Sequence, residues 1–188
     1  MQLIQTIVSD LERLEKPTIK AFLKWYFFPQ GSTFHYDVWF RILQKCKKIK
    51  ILKYTVGIIV YFVERHWSIK YGVHVNANIS IGQGLRIVHG DGVYLNCKEI
   101  GKNFTCYQDV TFGENDGRHK GIPTVEDNVT VYTGAIIVGD VILHSGCVIA
   151  ANAFVNFDVP ENAIVGGIPA KIIGKSHKQI KGEKNERT

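Results

Sequence analysis

The 188-residue chain has only four cysteines, and its strongest uncharged apolar run, Tyr54 to Val63, is ten residues long. That is about half of what a bilayer-spanning helix requires. Cys46, Cys97, Cys106 and Cys147 include no metal-type pair, so no metal site is expected, and free thiols point to a reduced, cytosolic setting. The first residues, MQLIQTIVSDLERLEK, carry acids early and lack a long apolar core, which argues against a cleavable secretory signal. Glycine is almost missing from the first 71 residues, which hold two of the 18, whereas 15 lie between Gly72 and Gly174. Only the second stretch has the glycine that many tight corners need.

Acidic residues are scarce at both ends. Residues 1–72 carry 12 Lys/Arg against 5 Asp/Glu, residues 73–170 carry 5 against 10, and residues 171–188 carry 6 against 2. Basic ends suit phosphates or anionic surfaces. No nucleic-acid module signature accompanies them, so nucleic acid is not an expected partner.

What the chain does have is a repeat. Residues 125–160 read VEDNVT, VYTGAI, IVGDVI, LHSGCV, IAANAF, VNFDVP. An aliphatic residue opens each unit (Val125, Val131, Ile137, Leu143, Ile149, Val155), and a small or aliphatic one stands four places later (Val129, Ala135, Val141, Cys147, Ala153, Val159). A strand alternates every two residues and a helix turns every 3.6, so neither alone gives a strict six. A coil of short parallel strands does, with the first residue on a face and the fifth in a corner. The register extends upstream through Val75, Ile81, Ile87 and Val93, then, after a one-residue shift, through Ile100, Cys106 and Phe112, giving thirteen hexads. An ordinary antiparallel sheet is the alternative reading of short apolar runs. The polar insertion at 113–124 is out of phase and is expected to loop from a corner, where function often resides.

Ahead of the coil, Leu3, Ile4, Ile7, Val8, Leu11 and Leu14 fall at helical spacing, and Pro17 interrupts them. Further helices are expected over Tyr36–Lys48 and about Ile51–Trp67. These helices are expected to close the open end of the coil, and their aromatic and basic surface also suits peripheral contact with a membrane. The organisation read from sequence is therefore a helical segment at 1–70, a mainly β parallel helix at 71–175 and a charged tail at 176–188.

The hexads, the segment IVHGDGV, the insertion and VPENAIVGGIPAKIIG together resemble the serine acetyltransferase-like branch of the hexapeptide-repeat acyltransferases, over about residues 70–175. The resemblance implies a left-handed parallel β-helix, a homotrimer with sites between subunits, and acetyl-CoA as donor. In that family a histidine within Asp-His-Gly/Ala-x-Gly takes the proton of the acceptor hydroxyl, and here the motif reads Val88, His89, Gly90, Asp91, Gly92. An alcohol needs such a base to attack a thioester, and imidazole is suited to the task near neutral pH. The resemblance thus makes His89 the catalytic candidate and places Asp91 with the acceptor. Without it, a solvated corner histidine is the plainer reading of His89.

Serine-specific members have an Asp fifteen residues earlier, where this chain has His74. His74 either pairs with His89 or fills a corner. Their Arg-His pair before a proline corresponds to Arg118 and His119, here separated from Pro123 by three residues. For the donor, the resemblance points to Thr133, Gly134 and Ala151 beside the pantetheine and to Lys171 near a CoA phosphate. Tight corner packing explains Gly134 and Ala151 as well. The short aromatic, basic leader and the missing Asp resemble capsule and exopolysaccharide acetyltransferases, so a sugar hydroxyl is the expected acceptor, with L-serine and a non-catalytic scaffold as alternatives.

Overall fold

The structure, a computed structural model, describes residues 2–28, 33–49, 55–76, 78–115 and 120–176. Four described helices precede the coil: α1 (Gln2–Glu12), α2 (Ile19–Phe27), α3 (Phe34–Lys48) and α4 (Val56–Tyr71). The Thr18 hydroxyl caps α2 by accepting from the Ala21 amide at 3.0 Å. Gly72, at φ +60°, ends α4 in the left-handed conformation that glycine adopts most readily.

Among the described residues fifteen short strands follow, β1 (Val73–Val75) through β15 (Lys171–Lys175), and they fall into three sheets. One holds β1, β4, β7, β10 and β13, the second β2, β5, β8 and β11, and the third β3, β6, β9, β12, β14 and β15. Every pairing is parallel except β14 with the terminal β15. Each turn of chain thus contributes one strand to each of three faces, forming a parallel β-helix. From Val125 onward the pairs Val125–Leu143, Val131–Ile149 and Ile137–Val155 lie 18 residues apart, three hexads per turn. Of the inward positions named from the repeat, all but Val75 are buried.

The phase between Ile87 and Ile100 differs from the sequence reading. Leu95, not Val93, pairs with Phe112 and Val75 on the first face. The stretch from Ile87 to Leu95 therefore takes eight residues where six are usual, and the next, to Ile100, takes five. Both Val93 and Leu95 are buried, so apolarity alone did not distinguish them. The two additional residues fall at the His89 corner.

The free cysteines sit inside, and burial pushes the thiols of Cys97 and Cys106 far up and that of Cys147 up to about 12. They act as small apolar residues, not nucleophiles. Tyr36 and Phe40 of α3 join the same apolar core as Val73, Ile79 and Ile81, so α3 packs into the first turn of the coil. Polar bonds fix it there. Asp10 of α1 and Arg41 of α3 form a fully buried ion pair at 2.9 Å. Arg41 also donates to the carbonyls of Ile81 and Gly82, and Asp10 accepts from the amides of Gly84 and Leu85.

Candidate active site

His89 lies between β3 and β4 with its side chain exposed and its φ at +54°. Among the described residues the other non-glycine positions with positive φ are all Asn or Asp, the side chains that tolerate this conformation best at turns. His89 is the exception, and a left-handed residue held in place at a corner is an observed outlier from which a functional reading is warranted. What holds it is the packing of its neighbours. A Cβ on Gly90 would stand 2.1 Å from the Tyr71 carbonyl oxygen, so the main chain after His89 lies directly against the end of α4. The Val93 amide donates to the Gly72 carbonyl at 3.0 Å and the Asp109 amide to the Asp91 carbonyl at 2.9 Å.

That last bond is the first rung of a column of stacked turns. The Gly134 amide donates to the Gln108 carbonyl at 3.1 Å, and the Asn152 amide to the Thr133 carbonyl at 2.9 Å. Gly134 has φ +72°, and a Cβ there would meet Asn152 Oδ1 at 2.2 Å, so the backbone conformation and the packing of the turn together favour glycine. The structure therefore brings His89, Asp91, Thr133, Gly134 and Ala151 onto one corner of the coil. Asp91 and Ala151 are exposed and Thr133 is half-buried. Lys171 is exposed on β15, beyond this column in the chain, where it pairs in register with Gly166. Arg118 and His119 lie outside the described residues.

His74 is not joined to His89 by any hydrogen bond among the described residues. It stands on β1 opposite Tyr94 of β4, and the two rings stack at 4.4 Å. Together they line a cleft of about 370 Å³ between α4 and the first turns of the coil, with Asn96, Glu64, Arg65 and Lys47 on its walls. Tyr94 was not singled out from sequence. The available signal was its outward place between the inward Val93 and Leu95. Tyr107 and Tyr132, stacked at 5.0 Å immediately before the Gln108 and Thr133 turns, were missed for the same reason. Gln108 was missed too. Its side-chain Oε1 is buried and has no partner in the structure, an acceptor the described chain does not satisfy. No group of His, Cys, Asp and Glu among the described residues is arranged to hold a metal ion.

No family model matches the sequence. Serine acetyltransferase of Bacillus licheniformis is 37% identical over 118 residues, which cover 61% of this chain and 54% of that protein. Its counterpart in Staphylococcus epidermidis is 33% identical over 147 residues, 76% of this chain and 66% of that one. The chain thus spans little more than half to about two thirds of these relatives' own length. Among solved structures, serine acetyltransferase from Brucella abortus strain S19 superposes with a TM-score of 0.75 at 21% identity, covering 93% of this chain and 70% of that one. The enzyme from Neisseria gonorrhoeae gives 0.73 at 25% identity, covering 95% and 67%.

These findings overturn the expectation of a sugar acceptor in surface-polysaccharide assembly. The relatives are serine acetyltransferases, and coverage of 93% or more extends well beyond the coil into the helices. The described helices ahead of the coil are therefore part of the superposed fold. With six-residue phasing, a three-faced parallel coil and these similarities, the chain has the fold of the serine acetyltransferases and resembles them in sequence.

Proposed function

We propose that the protein is an acetyl-CoA-dependent O-acetyltransferase acting on the hydroxyl of L-serine, as a homotrimer with its sites between copies. The observation that carries this reading is the single corner on which His89 and the Thr133 and Ala151 turns are stacked. Solved relatives of this fold include a serine acetyltransferase complex with CoA and another with serine.

The corner fits an extended thioester. Ala151, small and exposed, leaves the main chain of the corner within reach of a ligand. When bound, acetyl-CoA supplies the carbonyl that the alcohol attacks. His89 accepts the hydroxyl proton, and its exposed ring, without a hydrogen-bond partner among the described residues, is open to an acceptor. Thr133, Gly134 and Ala151 hold the pantetheine, and Lys171 meets a CoA phosphate as a point charge. Asp91, with Arg118 and His119, contacts the acceptor.

Purified protein is expected to release CoA from acetyl-CoA when L-serine is added, followed by thiol titration. CoA binding in calorimetry without serine-dependent release removes serine as acceptor. Absence of both favours a non-catalytic scaffold.

His74 replaces the carboxylate that would meet the ammonium of an amino acid, so serine binding is expected to be weak. His74→Asp is expected to lower the KM for L-serine about tenfold by restoring a charged acceptor, with kcat little changed. An unchanged KM would show that residue 74 does not reach the acceptor.

A further inference from the structure

The described face of α4 that packs inward is formed by Gly57, Val60, Glu64 and Ser68. Val60, Trp67 and Tyr71 pack with the core, but the other large apolar residues of the helix mostly point the other way. Ile59 and Phe62 are 67% and 66% exposed, and Ile58, Tyr61 and Ile69 are exposed with them. The helix thus carries a second, outward apolar face, unlike a surface helix of a globular protein, whose apolar stripe turns to the core. On α2, Ile19, Leu23 and Phe27 recur every four residues along an outer face, and Ile19 and Phe27 are 83% and 61% exposed. Lys20 and Lys24 flank that face.

Charge decides what covers these surfaces. Of the five acids in residues 1–72, Asp10, Asp37 and Glu64 are buried, so only Glu12 and Glu15 face solvent. Glu15 is bound to Lys24 and Trp25. Seven lysines and arginines of the described part of the same segment are exposed. A second copy seated on these helices would bring two basic, acid-poor surfaces together, which repel. An anionic bilayer offers the opposite charge at its surface and a hydrocarbon boundary beneath, and takes amphipathic helices lying flat. No described helix is long and apolar enough to cross a membrane.

We propose that the outer faces of α2 and α4 dock the protein on the surface of an anionic membrane, with Ile19, Leu23, Phe27, Ile59 and Phe62 as the inserting side chains. Binding combines apolar insertion with screened attraction, so it weakens with salt without vanishing. Three copies on one assembly multiply the effect through avidity.

The test is co-sedimentation of the full chain with phosphatidylcholine vesicles, with and without phosphatidylglycerol, at low and high salt. Protein is expected to pellet with the phosphatidylglycerol vesicles at low salt. Leu23→Asp/Phe27→Asp and Ile59→Asp/Phe62→Asp alter exposed positions, so they are expected to keep the wild-type circular dichroism while the bound fraction falls by about tenfold or more. Recovery of wild-type protein in the supernatant at every salt overturns the proposal, as does full binding by both variant pairs. Light scattering supplies the competing outcome. An assembly whose mass is halved by the Asp pairs, without vesicle binding, assigns these faces to a second copy instead.

Discussion

His89→Ala is expected to lower the turnover of acetyl-CoA and L-serine by about two to four powers of ten, the contribution of a positioned general base. Affinity for CoA should change little, because the Thr133, Gly134 and Ala151 turns are tied to the Asp91 corner by main-chain bonds that the substitution leaves in place. The side chain itself is exposed, so its removal opens no cavity. Alanine in place of histidine at φ +54° makes the left-handed corner costlier, by about 1 kcal/mol. That strain must be separated from lost chemistry. His89→Asn keeps a residue that tolerates the conformation while removing the base, so it should lose turnover as fully as His89→Ala and unfold at the wild-type temperature. CoA release at the wild-type rate in either variant would remove His89 from the mechanism. A rate lost only in His89→Ala would make the residue a corner support.

The coil was legible because inward residues return at fixed intervals, and Val125 through Val159 are buried where the hexads placed them. The irregular part was not, for a physical reason. In β4, Val93 and Leu95 are both apolar and both inward, so the pattern admits either as the opener. Only the pairing with Val75 and Phe112 selects Leu95. The two residues gained at the His89 corner were hidden by that ambiguity, and with them the stacking of His74 on Tyr94. Helices were expected ahead of the coil and are present, although α4 runs Val56–Tyr71 where about Ile51–Trp67 was expected and residues 51–54 lie outside the described residues. The orientation of α4 was not read. Its apolar content implies burial, whereas Gly57, Glu64 and Ser68 form most of its packed face. That choice is fixed by tertiary bonds, among them the Ser68 hydroxyl donating to the Val73 carbonyl at 2.5 Å. The corner was legible as separate residues. Gly134 and Ala151 came from resemblance, while their shared column with Asp91 appears only when 18 residues are wound into one turn.

The buried ion pair was not legible at all, since Asp10 and Arg41 are 31 residues apart, and it supports the second large prediction. Asp10→Ala is expected to cost about 3–5 kcal/mol of stability, read as a lower urea midpoint with an unchanged slope. The loss exceeds that of a surface pair because it leaves three groups in difficulty. The Arg41 guanidinium keeps the Ile81 and Gly82 carbonyls but loses its counter-charge, and the amides of Gly84 and Leu85 lose their acceptor in the interior. Asp37, buried nearby, provides the contrast. Burial holds its carboxyl well above the ordinary carboxylate range, the charge of Asp10 pushes the same way, and Arg41 opposes them. An amide keeps the shape of the carboxyl without its charge, so Asp37→Asn is expected to change stability by about 1 kcal/mol or less. Because the folded value is raised, the contribution of Asp37 is complete below its unfolded value and is lost as pH rises through the folded one. Asp10, also raised by burial, adds to the same trend. Wild-type stability should therefore decline as pH rises above the ordinary carboxylate range, and Asp37→Asn should flatten that decline. A urea midpoint unchanged in Asp10→Ala would mean that α1 and α3 are held to the coil by their apolar contacts alone.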